Sequence, residues 1–332
     1  MSSVSMMTEI PRHGRPAVLA RLFGWTNLMM LIALILNNVL VVGFDFPGLG
    51  AFIAGNTAGG WIHPALYVVA FVIAVGVTLR DQATSVRWDA HRVHRFNVYL
   101  IRALFWAVFF VGIVDATIAF MRIEGGLDAL LGEDLSRNFS RAGWVATHVH
   151  APLIALGFVV GFFTRTLGFP WLAILIVAAE LLIVISRFVF SYEQAFMSDL
   201  VRYWYAALFL FASAYTLFDE GHVRVDILYA GFGRSRRGYV NAMGTILLGL
   251  STAWVILVIA LDGKQSIVNA PVANFEISQS GPFGMFTKYQ MAAFLALFGV
   301  TMLIQFVSYF FDAIADKTGE PGHREPAQDA AH

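Results

Sequence analysis

The chain contains no cysteine among its 332 residues. That absence excludes disulfides, thiolate metal sites, cysteine-held iron–sulfur clusters and cysteine nucleophiles together, and it decides nothing about compartment. Charge is scarce as well. Only 13% of residues are Asp, Glu, Lys or Arg, with 22 basic against 22 acidic and a formal net charge of zero. A balanced chain with a pI near 7.1 carries no global field that would draw nucleic acid or an acidic substrate, so only the position of each charge is informative. Catalytic motifs are missing too. No G-x-x-x-x-G-K-[ST], H-E-x-x-H or G-x-S-x-G occurs, which leaves no sign of a P-loop ATPase, a zincin or a hydrolase of the G-x-S-x-G kind.

What the chain has in abundance is apolar side chains, 58% of the total, with a mean hydropathy of +0.69. Soluble domains are far more polar. A hydrocarbon core of roughly 30 Å takes about twenty apolar residues in a helix. Eight segments qualify: Leu22–Phe44, Trp61–Leu79, Phe96–Met121, Trp144–Phe163, Trp171–Phe190, Asp199–Phe218, Gly238–Leu261 and Lys288–Phe311. They are continuously apolar, which excludes the alternating strands of a membrane barrel. The expected fold is therefore an all-α integral membrane protein of about eight transmembrane helices.

Orientation follows from the basic residues. The amino-terminal segment, the connections after spans two, four and six, and the tail carry fourteen Lys or Arg, against seven on the opposite side. The bias places both termini in the cytoplasm. The first twenty residues contain arginines but no short apolar core with a cleavage site, which reads as a retained cytoplasmic segment. The opposite side carries the longer polar connections Asp45–Gly60, Arg122–Gly143 and Asp262–Thr287, surfaces on which a soluble partner can dock. The tail "DKTGEPGHREPAQDAAH" has the composition of a disordered end.

Ionisable groups inside a span are functional candidates by default because charge at membrane depth is costly. Asp115 lies deep in span three, Glu180 in the middle of span five, and Arg102 about one turn inside span three. Glu180 and Asp115 read first as structural contacts with neighbouring helices or subunits. Arg187, two helical turns beyond Glu180, sits near the outer interface, where it can snorkel. Asn37 and Asn38 in span one can hydrogen-bond between helices. Gly157 and Gly161 form a small-residue pair that permits close helix approach. His63, His148 and His150 lie toward the outer face and could ligate a b-type haem, though His148 and His150 point to different helix faces. No span pair is broken by Gly or Pro at mid-membrane, the usual pointer to a transporter's substrate site. On the residues alone the chain reads as membrane scaffold, with no substrate-binding, catalytic or metal site.

The carboxy-terminal half carries three further elements in a fixed order: a helix closing in "SRFVFS"; the stretch "SDLVRYWYAALFLFASAYTLFDEGHVRVDIL"; and a basic turn leading into two more spans. The middle element opens with an acidic residue three before an arginine, Asp199 and Arg202. It closes with Asp219, Glu220, Gly221, His222, Arg224 and Asp226 in the order acidic-Gly-His-x-Arg-Val-Asp. Over roughly Trp171–Ala315 this resembles the DctQ-like small membrane subunit of tripartite ATP-independent periplasmic (TRAP) transporters. The four preceding spans are an addition to the usual pattern. The resemblance divides the chain into a cytoplasmic segment 1–20, a four-helix extension 21–168, a DctQ-like four-helix domain 169–314 and a tail 315–332.

The resemblance implies a bacterial inner-membrane, multi-pass subunit that is not an enzyme and holds no cofactor. It implies a large membrane subunit, a transient periplasmic solute-binding protein and lipid as partners, with no nucleic acid. In such systems the large subunit moves an organic acid with sodium in an elevator-like motion, and the small subunit widens the static scaffold. Physically, Gly221 suits the end of span six, and the polar groups that follow it form an expected knot at the turn to span seven. Two alternatives stay open: a self-sufficient transporter or channel, and a haem-bearing anchor of a redox enzyme.

Overall fold

A computed structural model describes residues 10–55, 59–165, 168–218, 229, 231–278 and 280–323. It is 79% helical, with no strand among the described residues. Among the described residues eight long helices occur: α1 Val18–Gly43, α2 Ile62–Arg80, α3 Val86–Ile123, α4 Ala142–Phe163, α5 Phe169–Phe190, α6 Ala195–Phe218, α7 Arg234–Ala260 and α8 Lys288–Thr318. Short helices Leu49–Ile53, Gly126–Leu131, Glu133–Phe139 and Asn269–Ala273 punctuate the connections. A π-helical turn occupies Ala146–His150 within α4, and another Thr245–Leu250 within α7.

Seven of the eight are long and apolar enough to cross a membrane. The exception to the eight expected spans is α6. Its 24 residues reach about 36 Å at 1.5 Å per residue, but Asp199, Arg202, Tyr203, Trp204 and Tyr205 lower its hydropathy. Three of these, Asp199, Tyr203 and Trp204, are buried within the protein. A helix that turns its polar groups inward can be less apolar overall and still present a greasy outer face.

Local signals explain several helix ends. Gly168, with φ of +83°, turns the chain into α5, and Pro170 stands in that helix's first turn, where its missing N–H has no partner to lose. Ser191 closes α5 in the left-handed region with φ of 53°, the usual geometry of a helix stop. Helix α3 starts at Val86, ten residues before the span expected from Phe96. In its first three turns Arg87, Asp89 and His94 are buried, with Arg87 and Asp89 paired inside the fold, while Arg92 and Arg95 are exposed. Helix α8 runs on to Thr318, and Glu320 is 4% exposed. The helix thus runs three residues past the expected tail boundary at 315, and of the tail 324–332 lie outside the described residues.

The chain forms two compact units. The first comprises Met1–Asn97, Ala214–Ile256 and Met302–His332; the second comprises Val98–Ser213 and Leu257–Thr301. Each draws on sequence from both sides of Gly168. In the first unit α1 and α2 pack as a hairpin, and Gly24 of α1 lies directly on the Phe311 ring of α8, leaving no room for a Cβ. In the second, Gly157 and Gly161 of α4 sit on the backbone of α3 at Ala107 and Ala103. The expected close approach is thus realised between α3 and α4. In the same unit the rings of Tyr203, Phe294 and Phe211 pack in series, with centroids 5.3 and 4.9 Å apart, the first pair tilted and the second edge-on.

Candidate functional site

The second unit is organised around a fully buried carboxylate. Asp115, on α3, places Oδ1 3.1 Å from His150 Nε2 on α4, and its Oδ2 accepts the backbone N–H of Phe286 at 2.7 Å. His150 Nδ1 lies 2.9 Å from the Tyr289 hydroxyl on α8. That hydroxyl accepts from Gln290 Nε2 at 3.0 Å, and the Gln290 carbonyl in turn accepts from the Tyr203 hydroxyl on α6. Both Asp115 and His150 are 0% exposed. The π-helical turn ends at His150, and such widened turns are frequent where a helix must aim a side chain for a specific task.

A second carboxylate completes the arrangement. Asp199 accepts the Met285 N–H at 3.0 Å and the Ser278 hydroxyl at 3.2 Å, and Arg202 sits 3.3 Å away on the next helical turn. Arg122 closes it from α3. Its guanidinium donates to the carbonyls of Pro282 and Gly284 at 2.8 Å each and to Phe139 at 3.2 Å, and it lies 4.0 Å from the centre of the Phe286 ring. Two helices, α3 and α6, thus grip the loop before α8 through its backbone. Chemically this is a latch: every named carboxylate oxygen meets a donor, so the buried charges are compensated.

The first unit holds a separate charge network. Arg21 on α1 donates to Asp89 on α3 at 2.7 Å and to the carbonyls of Asp81 and Thr78 at 2.6 and 3.3 Å; Trp25 reaches the same carboxylate at 3.1 Å. Arg87, 4% exposed, forks to Asp312 at 3.1 Å and Asp316 at 2.6 Å on α8, and donates to the Pro321 carbonyl at 3.1 Å. Glu320 accepts from the Ser85 hydroxyl at 2.6 Å and from the Arg87 N–H at 3.2 Å. Arg234 of α7 adds a contact to Asp316 at 3.2 Å. At the edge of the network a hydrogen bond from Thr84, aided by His13 and Arg12, holds the Asp81 carboxyl below its ordinary range.

Residues 172–316 match the family model described as the DctQ component of tripartite ATP-independent periplasmic transporters. The matched segment, somewhat under half of the chain, resembles the DctQ family. No curated protein and no solved structure matches the chain. The match and the seven long apolar helices support a multi-pass membrane protein.

The residues expected from the sequence can now be placed. Asp199 and Arg202, which open the DctQ signature, form an i, i+3 pair whose acid holds the loop before α8. Asp219, Glu220, Gly221, His222, Arg224 and Asp226, which close it, lie outside the described residues. Asp115 pairs with His150. Glu180 stands on α5, exposed, and no contact to it is found among the described residues. Arg187 pairs with Glu193 at 3.2 Å, both well exposed. Beside them, desolvation and the neighbouring Glu124 carboxylate push the Tyr192 hydroxyl up to about 12. Asn37 meets His63 Nδ1 at 2.7 Å, joining α1 to α2; Asn38 is half-buried.

Arg102 donates to the carbonyls of Gly161 and Thr164 at 3.5 and 2.5 Å. The haem reading gains nothing here, because both ring nitrogens of His150 are engaged within the protein. Among the described residues no group of three or more His, Asp or Glu is placed to hold a metal ion.

Both networks join the DctQ segment to the N-terminal extension. Asp115, Arg122 and His150 come from the extension, while Asp199, Tyr203, Tyr289 and Gln290 are DctQ residues. Arg21, Arg87 and Asp89 come from the extension, while Arg234, Asp312 and Asp316 are DctQ residues. Sequence reasoning missed these pairings because the partners stand far apart in the chain, 229 residues for Arg87 and Asp316.

Proposed function

We propose that this chain is the non-catalytic scaffold subunit of a TRAP-type secondary transporter in a bacterial inner membrane, with both termini cytoplasmic. It supports a large elevator subunit that moves an organic acid, delivered by a periplasmic binding protein, on a sodium gradient. The observation that carries the reading is the DctQ match over residues 172–316. The character of the two buried networks supports it: Asp115, Asp199, Arg21 and Arg87 are tied to other side chains and to backbone, as a rigid support requires.

Helix α5 supports a partner as well. Only Leu172 and Ile176 are buried along its 22 residues, and Glu180 stands in its middle. A carboxylate at that depth is expensive against lipid, whereas a protein partner with a donor there removes the cost. We assign that face of α5 to the large subunit and the four-helix extension to an enlargement of the scaffold, anchored by the two networks.

Reconstitution tests the proposal. Vesicles holding the chain alone should take up no organic acid on a sodium gradient, and addition of the large subunit and binding protein should restore uptake. Cation-coupled uptake by the chain alone would overturn the reading.

A further inference from the structure

A cleft in the second unit has features that the scaffold role does not use. Arg102, Phe105, Trp106 and Phe109 recur at i, i+3, i+4 and i+7 along α3 and so share one face. The last three line a cleft of about 310 Å³, closed on its other side by Gly168, Trp171 and Leu175 at the start of α5. Its walls are fixed. Trp106 donates its indole N–H to the Thr164 hydroxyl at 2.9 Å, and the rings of Phe105 and Phe169 meet edge-on at 4.4 Å. Gly168 adopts φ of +83° and passes over Phe105, 3.6 Å from where its own Cβ would be.

One helical turn from Trp106 stands a pair of like charges. The Arg102 guanidinium is held by the Thr164 carbonyl at 2.5 Å, and Arg165, the next residue in the chain and exposed, is close enough to interact with it electrostatically. Arg102 Nε has no hydrogen-bond partner, and no ion pair to either arginine is found among the described residues. Two neighbouring cations without a carboxylate, held against apolar surface, call for an anion. The adjoining cleft is lined almost wholly by aromatic and aliphatic side chains, so the anion should carry a hydrocarbon chain.

We propose that Arg102, Arg165 and the aromatic cleft form a binding site for one anionic phospholipid, the phosphate on the arginine pair and an acyl chain along Phe105, Trp106 and Trp171. Basic residues near a membrane surface attract anionic headgroups, and an aromatic cleft supplies the affinity for the chain. The site clamps the junction between extension and DctQ segment, where residues 164 and 165 leave α4 and Gly168 starts α5.

Trp106 and Trp171 supply the readout. The full chain in detergent micelles is titrated with phosphatidylglycerol or phosphatidylcholine carrying brominated acyl chains, which quench tryptophan fluorescence on contact. Phosphatidylglycerol should quench at an on-the-order-of-tenfold lower lipid ratio than phosphatidylcholine, the preference expected of two basic residues. Arg102→Gln with Arg165→Gln should abolish the preference, and Trp106→Phe with Trp171→Phe should remove the preferential quenching itself. Should the double arginine variant fail to stay monodisperse, Arg165→Gln alone, at an exposed position, should still reduce the preference at least threefold. Equal quenching by the two lipids, a preference that survives loss of the arginines, or displacement of the lipid by equimolar inorganic phosphate would overturn the proposal.

Discussion

His150 Nε2 and Asp115 Oδ1 stand 3.1 Å apart with neither side chain exposed. The pair joins α4 to α3, and through the Phe286 N–H it also holds the loop before α8. Asp115→Ala leaves that N–H and the imidazole without an acceptor, and each orphaned buried group costs about 1–3 kcal/mol. The expected outcome is a markedly lower melting temperature in detergent together with earlier proteolysis between Ser278 and Thr287. His150→Ala in the same background should add less than it does alone, because both changes break one contact. Full additivity of the two would show that the pair is not coupled.

The helix contacts make a prediction of opposite signs at two glycines. Alanine is intrinsically better than glycine in a helix by about 1 kcal/mol. Gly76, in α2, has nothing within 4 Å of a new Cβ, so Gly76→Ala should be neutral or mildly stabilising. At Gly157 the new Cβ would overlap the Ala107 backbone, which cannot swing aside as a long side chain would. Gly157→Ala should therefore destabilise by about 1–3 kcal/mol through overpacking. Thermal unfolding of both variants in one detergent measures the contrast.

These contacts also show how far the sequence carries. The spans were legible because apolar runs near twenty residues have one reading in a bilayer, and the Gly157 and Gly161 spacing was legible because it is local to one helix. Asp115 was flagged by cost alone: a carboxylate inside a span needs a reason. Its partner was not, because no spacing rule links residues 115 and 150 across a helix and a loop. The start of α3 was hidden for a related reason. The stretch "VRWDAHRVHRF" has the composition of a loop, and only its distant partners, Arg21, Asp312 and Asp316, make a helix of it. The charged close of the DctQ signature, from Asp219 to Asp226, lies outside the described residues.

Glu180 separates a partner-facing helix from a lipid-facing one. If α5 meets the large subunit there, Glu180→Leu should leave the melting temperature of the isolated chain unchanged or raise it, since it removes an exposed carboxylate from an apolar helix. The same variant should lower recovery of co-expressed large subunit in a pull-down. Unchanged recovery alongside unchanged stability would place the interface on another helix.

The end of the chain offers a direct test of whether the residues past α8 are part of the fold. A disordered tail can be removed at no cost in stability. Glu320, by contrast, accepts from Ser85 and from the Arg87 N–H, its backbone carbonyl accepts from Arg234, and the Pro321 carbonyl accepts from Arg87. Truncation after Thr318 removes all of these acceptors and leaves the 4% exposed Arg87 with only Asp312 and Asp316. The loss should amount to on the order of 2 kcal/mol, the scale of one or two unsatisfied buried donors. Glu320→Ala should reproduce most of it, because the side chain serves both Ser85 and the Arg87 backbone. A full-length Glu320→Ala chain that melts with the wild type would mean that the carboxylate merely rests on the network, and the fold would then end with α8.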